Sequence, residues 1–278
     1  MSECTHDCSS CSENCSSREN KIQKLEPAAG VKVKHLIGVV SGKGGVGKSI
    51  VTSTLAVAMM KKGYKTAILD ADITGPSIPK AFGTSGPVYQ NEEGKIEPVV
   101  SEAGIKMMSL NLMVEDETQP VAWRGPVIAG VVSQYWTDVS WGEVDFMFVD
   151  MPPGTGDVPL TVFQSLPLEG IVVVTTPQDL AAMIVEKAIH LAELLSIPVL
   201  GVIENMSYVV CPCCNEKVYM FGKSHAKKIT DDFQIPLLCE LPVDPALAAL
   251  VDAGKIEELD SRYVDILLNN FPFDKLAK

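Results

Sequence analysis

Long apolar runs are missing from this sequence. Its apolar runs, Gly170–Val174 and Val199–Ile203 among them, fall far short of the roughly 20 residues that a spanning helix needs. No membrane segment is therefore expected. The amino terminus, MSECTHDCSSCSENC, is polar and has no apolar core of a secretory signal, so the expected compartment is the cytoplasm. Positive charge is also short: Lys and Arg total 23 against 35 Asp and Glu, a net charge of −12. Nucleic acid and anionic membrane surfaces are held largely through Lys and Arg, so neither is an expected partner. Residues 1–30 have almost no large apolar side chains and cannot build a core. They read as a mobile, Cys-rich tail ahead of one domain spanning 31–278. No internal repeat is visible.

What remains has the composition of a soluble globular protein, 46% hydrophobic and 21% charged. From Val31 onward, short apolar runs alternate with helical stretches. Strands are predicted at His35–Val40, Lys65–Leu69, Ile105–Leu110, Asp145–Val149, Gly170–Thr175 and Val199–Ile203, with a short one at Leu237–Glu240. Several are unbroken apolar runs, the pattern of strands buried on both faces. The fold class is α/β: a doubly wound, mostly parallel sheet with helices on both faces. Leu180–Leu195 places Leu180, Ile184, Ala188, Leu191 and Leu195 on one face at helical spacing. PVYQNEEGKIEPV reads as a polar hairpin before the third main strand. Ligands of such a sheet sit at the carboxyl ends of its strands.

GKGGVGKS fits G-x-x-x-x-G-K-[ST] with Gly42, Gly47, Lys48 and Ser49. An apolar strand, LIGVV, precedes it, and the helix-forming SIVTSTLAVAMMKKG follows. Gly42, Gly44, Gly45, Val46, Gly47, Lys48, Ser49 and Ile50 are the expected phosphate cradle, in which backbone N–H groups and the helix N-terminus face phosphate oxygens. Lys48 is expected to bridge the β- and γ-phosphates of ATP, and the Ser49 hydroxyl to hold Mg²⁺. FMFVDMPPGTGD ends an apolar strand on Asp150, the Walker B pattern of an acid on the Mg²⁺ side. ILDADITGPS places Asp70 and Asp72 just past the second strand, where a carboxylate can orient water or support the metal.

The chain has eight cysteines, which in a reducing compartment are metal ligands or free thiols before they are disulfides. Cys211 and Cys214 form a C-x-x-C pair that can face one metal centre. One pair is half a site, and a symmetric dimer supplies the other half on its two-fold axis. A redox C-x-x-C is the competing reading, but that motif opens a helix, whereas this one follows a strand and the loop NMSYV. Cys239, in PLLCEL, reads as a small core residue. Cys4, Cys8, Cys11 and Cys15 of the tail suit a closed metal site, for an iron–sulfur cluster or for zinc.

KGGVGKS resembles the deviant phosphate loop of the MinD/ParA-like ATPases. The resemblance implies that Lys43 reaches across a dimer interface to the partner's phosphates, as a catalytic cation beside Lys48. It also makes Asp72 the water-positioning catalytic residue and Asp70 its structural or metal-side partner. Asn205 matches the class position that reads adenine, and Pro177 a base-flanking one. The ordered series SGKGGVGKS, DADITGPSIP, AWRGP, VDMPPGTGD, TTPQ, ENMSY, CPCC and LPVDP is similar to that of the Mrp/ApbC/Nbp-type iron–sulfur cluster carrier ATPases. That family implies a homodimer with a 4Fe–4S cluster bridged by Cys211 and Cys214 of both subunits and passed to apo-proteins. The alternatives are a MinD/ParA-like regulator, which needs a basic amphipathic carboxyl-terminal helix or a basic surface, and a zinc-binding scaffold.

Overall fold

The structure, a computed structural model, describes residues 24–72, 77–113, 125–154, 156–222, 224 and 226–276. Its strands are β1 (Lys32–Ser41), β2 (Thr66–Asp70), β3 (Val99–Val100), β4 (Lys106–Met108), β5 (Glu143–Asp150), β6 (Gly170–Thr175), β7 (Val199–Val210), β8 (Lys217–Val218) and β9 (Leu237–Pro242). Its helices are α1 (Lys48–Lys61), α2 (Ile78–Ala81), α3 (Gly125–Thr137), α4 (Asp157–Ser165), α5 (Asp179–Leu194), α6 (Ala226–Asp232), α7 (Pro245–Asp252), α8 (Ser261–Leu268) and α9 (Phe273–Leu276). The strands form one sheet in the order β3-β4-β2-β5-β1-β6-β7, extended by β8 and with β9 also paired to β7. The pairings from β4 to β9 are parallel. Only β3 and β8 run antiparallel to their neighbours. This is the expected doubly wound sheet.

Successive side chains of a strand point to opposite faces, and here both faces are apolar. Ile37, Val39, Phe146, Phe148, Val172 and Val174 enter one core, packed by α1 and α8. Leu36, Val40, Met147, Val149, Ile171 and Val173 enter the other, packed by α3, α4 and α5. That double burial is why these strands read as unbroken apolar runs. Helix α1 is covered all round: Val51, Leu55, Ala56, Val57, Ala58 and Met59 are fully buried. Its outer side is closed by Tyr263, Val264, Leu267 and Leu268 of α8. Each such side chain contributes about 1.5–3 kcal/mol by leaving water.

Several expectations shift. Among the described residues, packing reaches back ahead of Val31, as far as Leu25. Leu25 N donates to Ser165 O and Trp136 Nε1 to Leu25 O, both at about 2.8–2.9 Å, and Ala28 lies in the core. Among the residues of α5 whose side chains are described, Val185, Ala188, Ile189 and Ala192 are buried, with Leu191 and Leu195 at the margin; Leu180 and Ile184 lie outside them. Alanines at those positions let the helix approach the sheet closely. The stretch NMSYV is not a loop but part of β7, which runs on to Val210. The polar hairpin is present: Gln90 bridges Ile96 in antiparallel fashion, and Asn91 N donates to Lys95 O at 2.8 Å.

Candidate functional site

Strand β1 stops at Ser41 and α1 starts at Lys48, so the glycine-rich loop turns the chain at the carboxyl edge of the sheet. Two glycines make that turn possible. Gly45 has φ +80° and Gly47 φ +79°, values that side-chain-bearing residues rarely take. At Gly47 space is also absent, because a Cβ would lie 2.3 Å from Asn205 Nδ2. Asn205 holds the loop directly, donating Nδ2 to Val46 O at 2.9 Å. The loop walls a cavity of about 410 Å³ with Gly44–Ile50, Asp72 and Pro153 on its lining.

The charged groups converge beneath it. Lys48 Nζ sits 2.9 Å from Asp150 Oδ1 and 3.2 Å from Asp72 Oδ2. Burial works against the Lys48 charge, but Asp150 and Asp72 outweigh it and hold its pKa above the usual lysine range. Ser49 Oγ donates to Asp150 Oδ2 at 2.6 Å. Thr52 Oγ1 donates to Asp150 Oδ1 at 2.7 Å. Thr52 was not among the expected residues, although its place one turn after Lys48 on the same helix is the signal for it. Asp70 and Asp150 are register partners on β2 and β5. Asp70 is almost completely buried, and burial, with Asp150 beside it, pushes its pKa well up. Its two oxygens accept from Ser109 Oγ at 2.8 Å and from Asp72 N at 3.1 Å. Asp70 thus holds the backbone of Asp72.

Lys43 lies apart from this cluster, on the rim, with Nζ donating to Gln178 Oε1 at 2.5 Å. Pro177 is buried between β6 and Gln178, which precedes α5. Residues 73–76, 114–124 and the tail cysteines Cys4, Cys8, Cys11 and Cys15 lie outside the described residues.

Beyond the sheet, β7 and β8 form a hairpin whose turn carries Cys211, Cys213 and Cys214. Cys211 N donates to Glu216 O and Asn215 N to Cys211 O, each at 2.9 Å. Asn215 closes the turn at φ +60°, a conformation asparagine tolerates better than most residues. The Cys213 and Cys214 backbone N–H groups point at the Cys211 sulfur and, with the Cys214 thiol, draw its pKa down. Cys211 is half-buried, whereas Cys213 and Cys214 are exposed. Among the described residues no three or more His, Cys, Asp or Glu side chains gather into a metal site. Cys239 is buried in β9 as expected, and burial, with Glu240 nearby, pushes its thiol up to about 12. The described helices include none long and apolar enough to cross a membrane.

A glycine-rich strand–helix turn over a Lys–Asp–Ser cluster, in a doubly wound sheet, defines a P-loop NTPase. The sequence matches the NUBPL iron-transfer P-loop NTPase family over residues 32–269, and the chain belongs to that family. It is 44% identical over 258 residues to an iron-sulfur cluster carrier protein of Clostridium perfringens, covering 90% of each chain. Among solved structures it resembles a nucleotide-binding protein of Archaeoglobus fulgidus in complex with ADP. That match has 44% identity and a TM-score of 0.75, and covers 83% of this chain and 90% of that one. The cell division ATPase MinD of Pyrococcus furiosus shares the fold, with a TM-score of 0.63 at 20% identity over 88% of this chain and 100% of that one.

Proposed function

We propose that the chain is an ATP-hydrolysing iron–sulfur cluster carrier. It works as a homodimer, holds a 4Fe–4S cluster between Cys211 and Cys214 of two copies, and passes it to apo-proteins. The observation that carries this reading is the cysteine turn. It supplies two thiols, one with backbone N–H groups already directed at its sulfur, on a hairpin that offers only half a ligand set. Thiolates, not thiols, bind iron, and hydrogen bonds to sulfur favour the thiolate. Around the turn Val210, Val218, Tyr219, Met220 and Phe221 are exposed. Apolar surface of this kind suits burial against a second copy.

In this reading Gly42–Ile50 cradle the ATP phosphates. Lys48, already charged and held between two carboxylates, stabilises the charge that builds on the transferring phosphoryl group. Ser49 Oγ and Asp150 are a hard-oxygen pair that fits Mg²⁺, whose chemistry here is neutralisation of phosphate charge. Asp72, held by Asp70, orients the attacking water. Lys43 leaves Gln178 to reach the other copy's phosphates, Asn205 and Pro177 border the adenine, and the tail cysteines hold a second cluster or zinc. The same reading puts the protein in the cytoplasm, with neither nucleic acid nor membrane as a partner. A membrane-cycling regulator would need an apolar helical face to spare, and that of α8 is spent on α1.

The test is iron, sulfide and zinc content of anaerobically prepared protein. It compares the full chain, a chain lacking residues 1–30, and Cys211→Ala/Cys214→Ala. Iron and sulfide that survive tail deletion and vanish in the double variant are expected. Zinc alone, or metal lost only with the tail, overturns the reading.

A further inference from the structure

The hairpin that carries the cysteines is fastened at both roots to one buried carboxylate. Glu204 of β7 is fully buried. Ser207, before the hairpin, donates its hydroxyl to Glu204 Oε2. Ser224, beyond the hairpin, donates to Glu204 Oε1 at 2.7 Å and receives Ala226 N at the start of α6 at 3.1 Å. The chain between these serines therefore leaves and returns through a single side chain.

The neighbouring residues touch the phosphate loop. Asn205 donates to Val46 O at 2.9 Å. A Cβ on Gly47 would meet Asn205 Nδ2 at 2.3 Å and Met206 Cε at 3.6 Å, so loop and strand are in contact with no slack. The strand itself is irregular at this point. From Glu204 to Tyr208 its partners on β9 advance only from Glu240 to Pro242. Met206 sits at φ +57°, in the left-handed region that a non-glycine side chain rarely enters. A bulge of this kind lets a strand be re-aimed without loss of the pairings on either side.

We propose that Glu204 is a positioning residue that couples the phosphate loop to the cysteine hairpin. Nucleotide that moves Val46 and Gly47 moves Asn205. The Asn205–Ser207 bulge follows, and the Glu204 clamp passes the displacement to both stems of the hairpin, changing how Cys211 and Cys214 are presented. The inference rests on the nucleotide-binding half of the reading above and needs no cluster to be carried. Coupling of this sort is reciprocal, so fixing the hairpin alters nucleotide affinity by the same factor.

The experiment uses the full chain, reduced and metal-free. Alkylation of Cys211 and Cys214 by iodoacetamide is followed by peptide mass spectrometry, with and without Mg²⁺ and adenylyl imidodiphosphate. Nucleotide is expected to change the wild-type rate by about threefold or more. In Glu204→Leu, which leaves neither serine an acceptor, and in Ser224→Ala the ratio falls towards one. Ser224 is half-buried, so its variant decides the matter if the buried Glu204 variant does not fold. The proposal is overturned if wild-type rates ignore nucleotide, or if a folded variant keeps the wild-type ratio. Protection by dimerisation alone gives the second of these outcomes. Protein that binds no iron and sulfide still answers this test, so the carrier reading and the coupling fail separately.

Discussion

At the phosphate loop, Lys48 and Asp150 are almost excluded from solvent, and Ser49, Thr52 and Asp72 close around them. At the cysteine hairpin, Cys213 and Cys214 are exposed, and Val218, Tyr219 and Met220 beside them face solvent too. Both regions sit beyond the carboxyl edge of the same sheet. The difference separates a buried charge cluster that one chain assembles by itself from an exposed thiol turn that, in the proposed reading, a second copy completes. Buried charge is tolerated only when its partners are already in place, so the first region must be finished on folding. Exposed thiols on a short hairpin carry no such demand and can wait for a second surface.

The two regions are expected to fail separately. Lys48→Ala is expected to lower phosphate release from ATP by about 100-fold or more, the scale of losing a preorganised charge, while iron per chain is retained. Cys211→Ala/Cys214→Ala is expected to do the reverse. It loses the tail-independent iron and leaves nucleotide affinity within about twofold and the melting temperature within about 2 °C, because turn positions outside the core carry little stability. Calorimetric nucleotide titration and metal analysis of both variants check the crossing. A smaller effect sharpens the first region alone. Gly47→Ala places a side chain at φ +79° against Asn205, a strain of about 1–2 kcal/mol before the clash, so nucleotide should bind about tenfold more weakly. The smallest effect concerns Asp70. A carboxyl whose folded pKa lies above its unfolded value stabilises the fold below the unfolded pKa, and that contribution is lost as pH rises through the folded one. Asp70→Asn keeps an acceptor for Asp72 N and a donor for Ser109. Its urea midpoint should therefore gain on wild type between pH 5 and pH 8; an unchanged difference would show that Asp70 ionises freely.

Most of the first region was legible because it is local. The glycines, Lys48 and Ser49 lie in one short stretch, and β1, β2, β5 and β6 announce themselves by double-faced burial. The parts that stayed hidden depend on long-range contact. Asn205 meets Val46 across a separation of 159 positions, and Lys43 meets Gln178 across 135. The run of β7 beyond Ile203 was illegible for a different reason: polar Glu204, Asn205 and Ser207, with Met206 in a left-handed conformation, have no strand periodicity. The stretch from Lys24 to Gly30 was read as tail because it offers little large apolar surface. Its anchor is supplied by Trp136, whose indole N–H holds Leu25 O.

The burial of Cys239 has a practical consequence. A thiol reagent meets the hairpin sulfurs at the surface, but reaches Cys239 only when the packing of α8 over β9 loosens. The slow arrival of that label is a clock for the breathing of one sheet margin, written into the chain beside the fast labels that calibrate it.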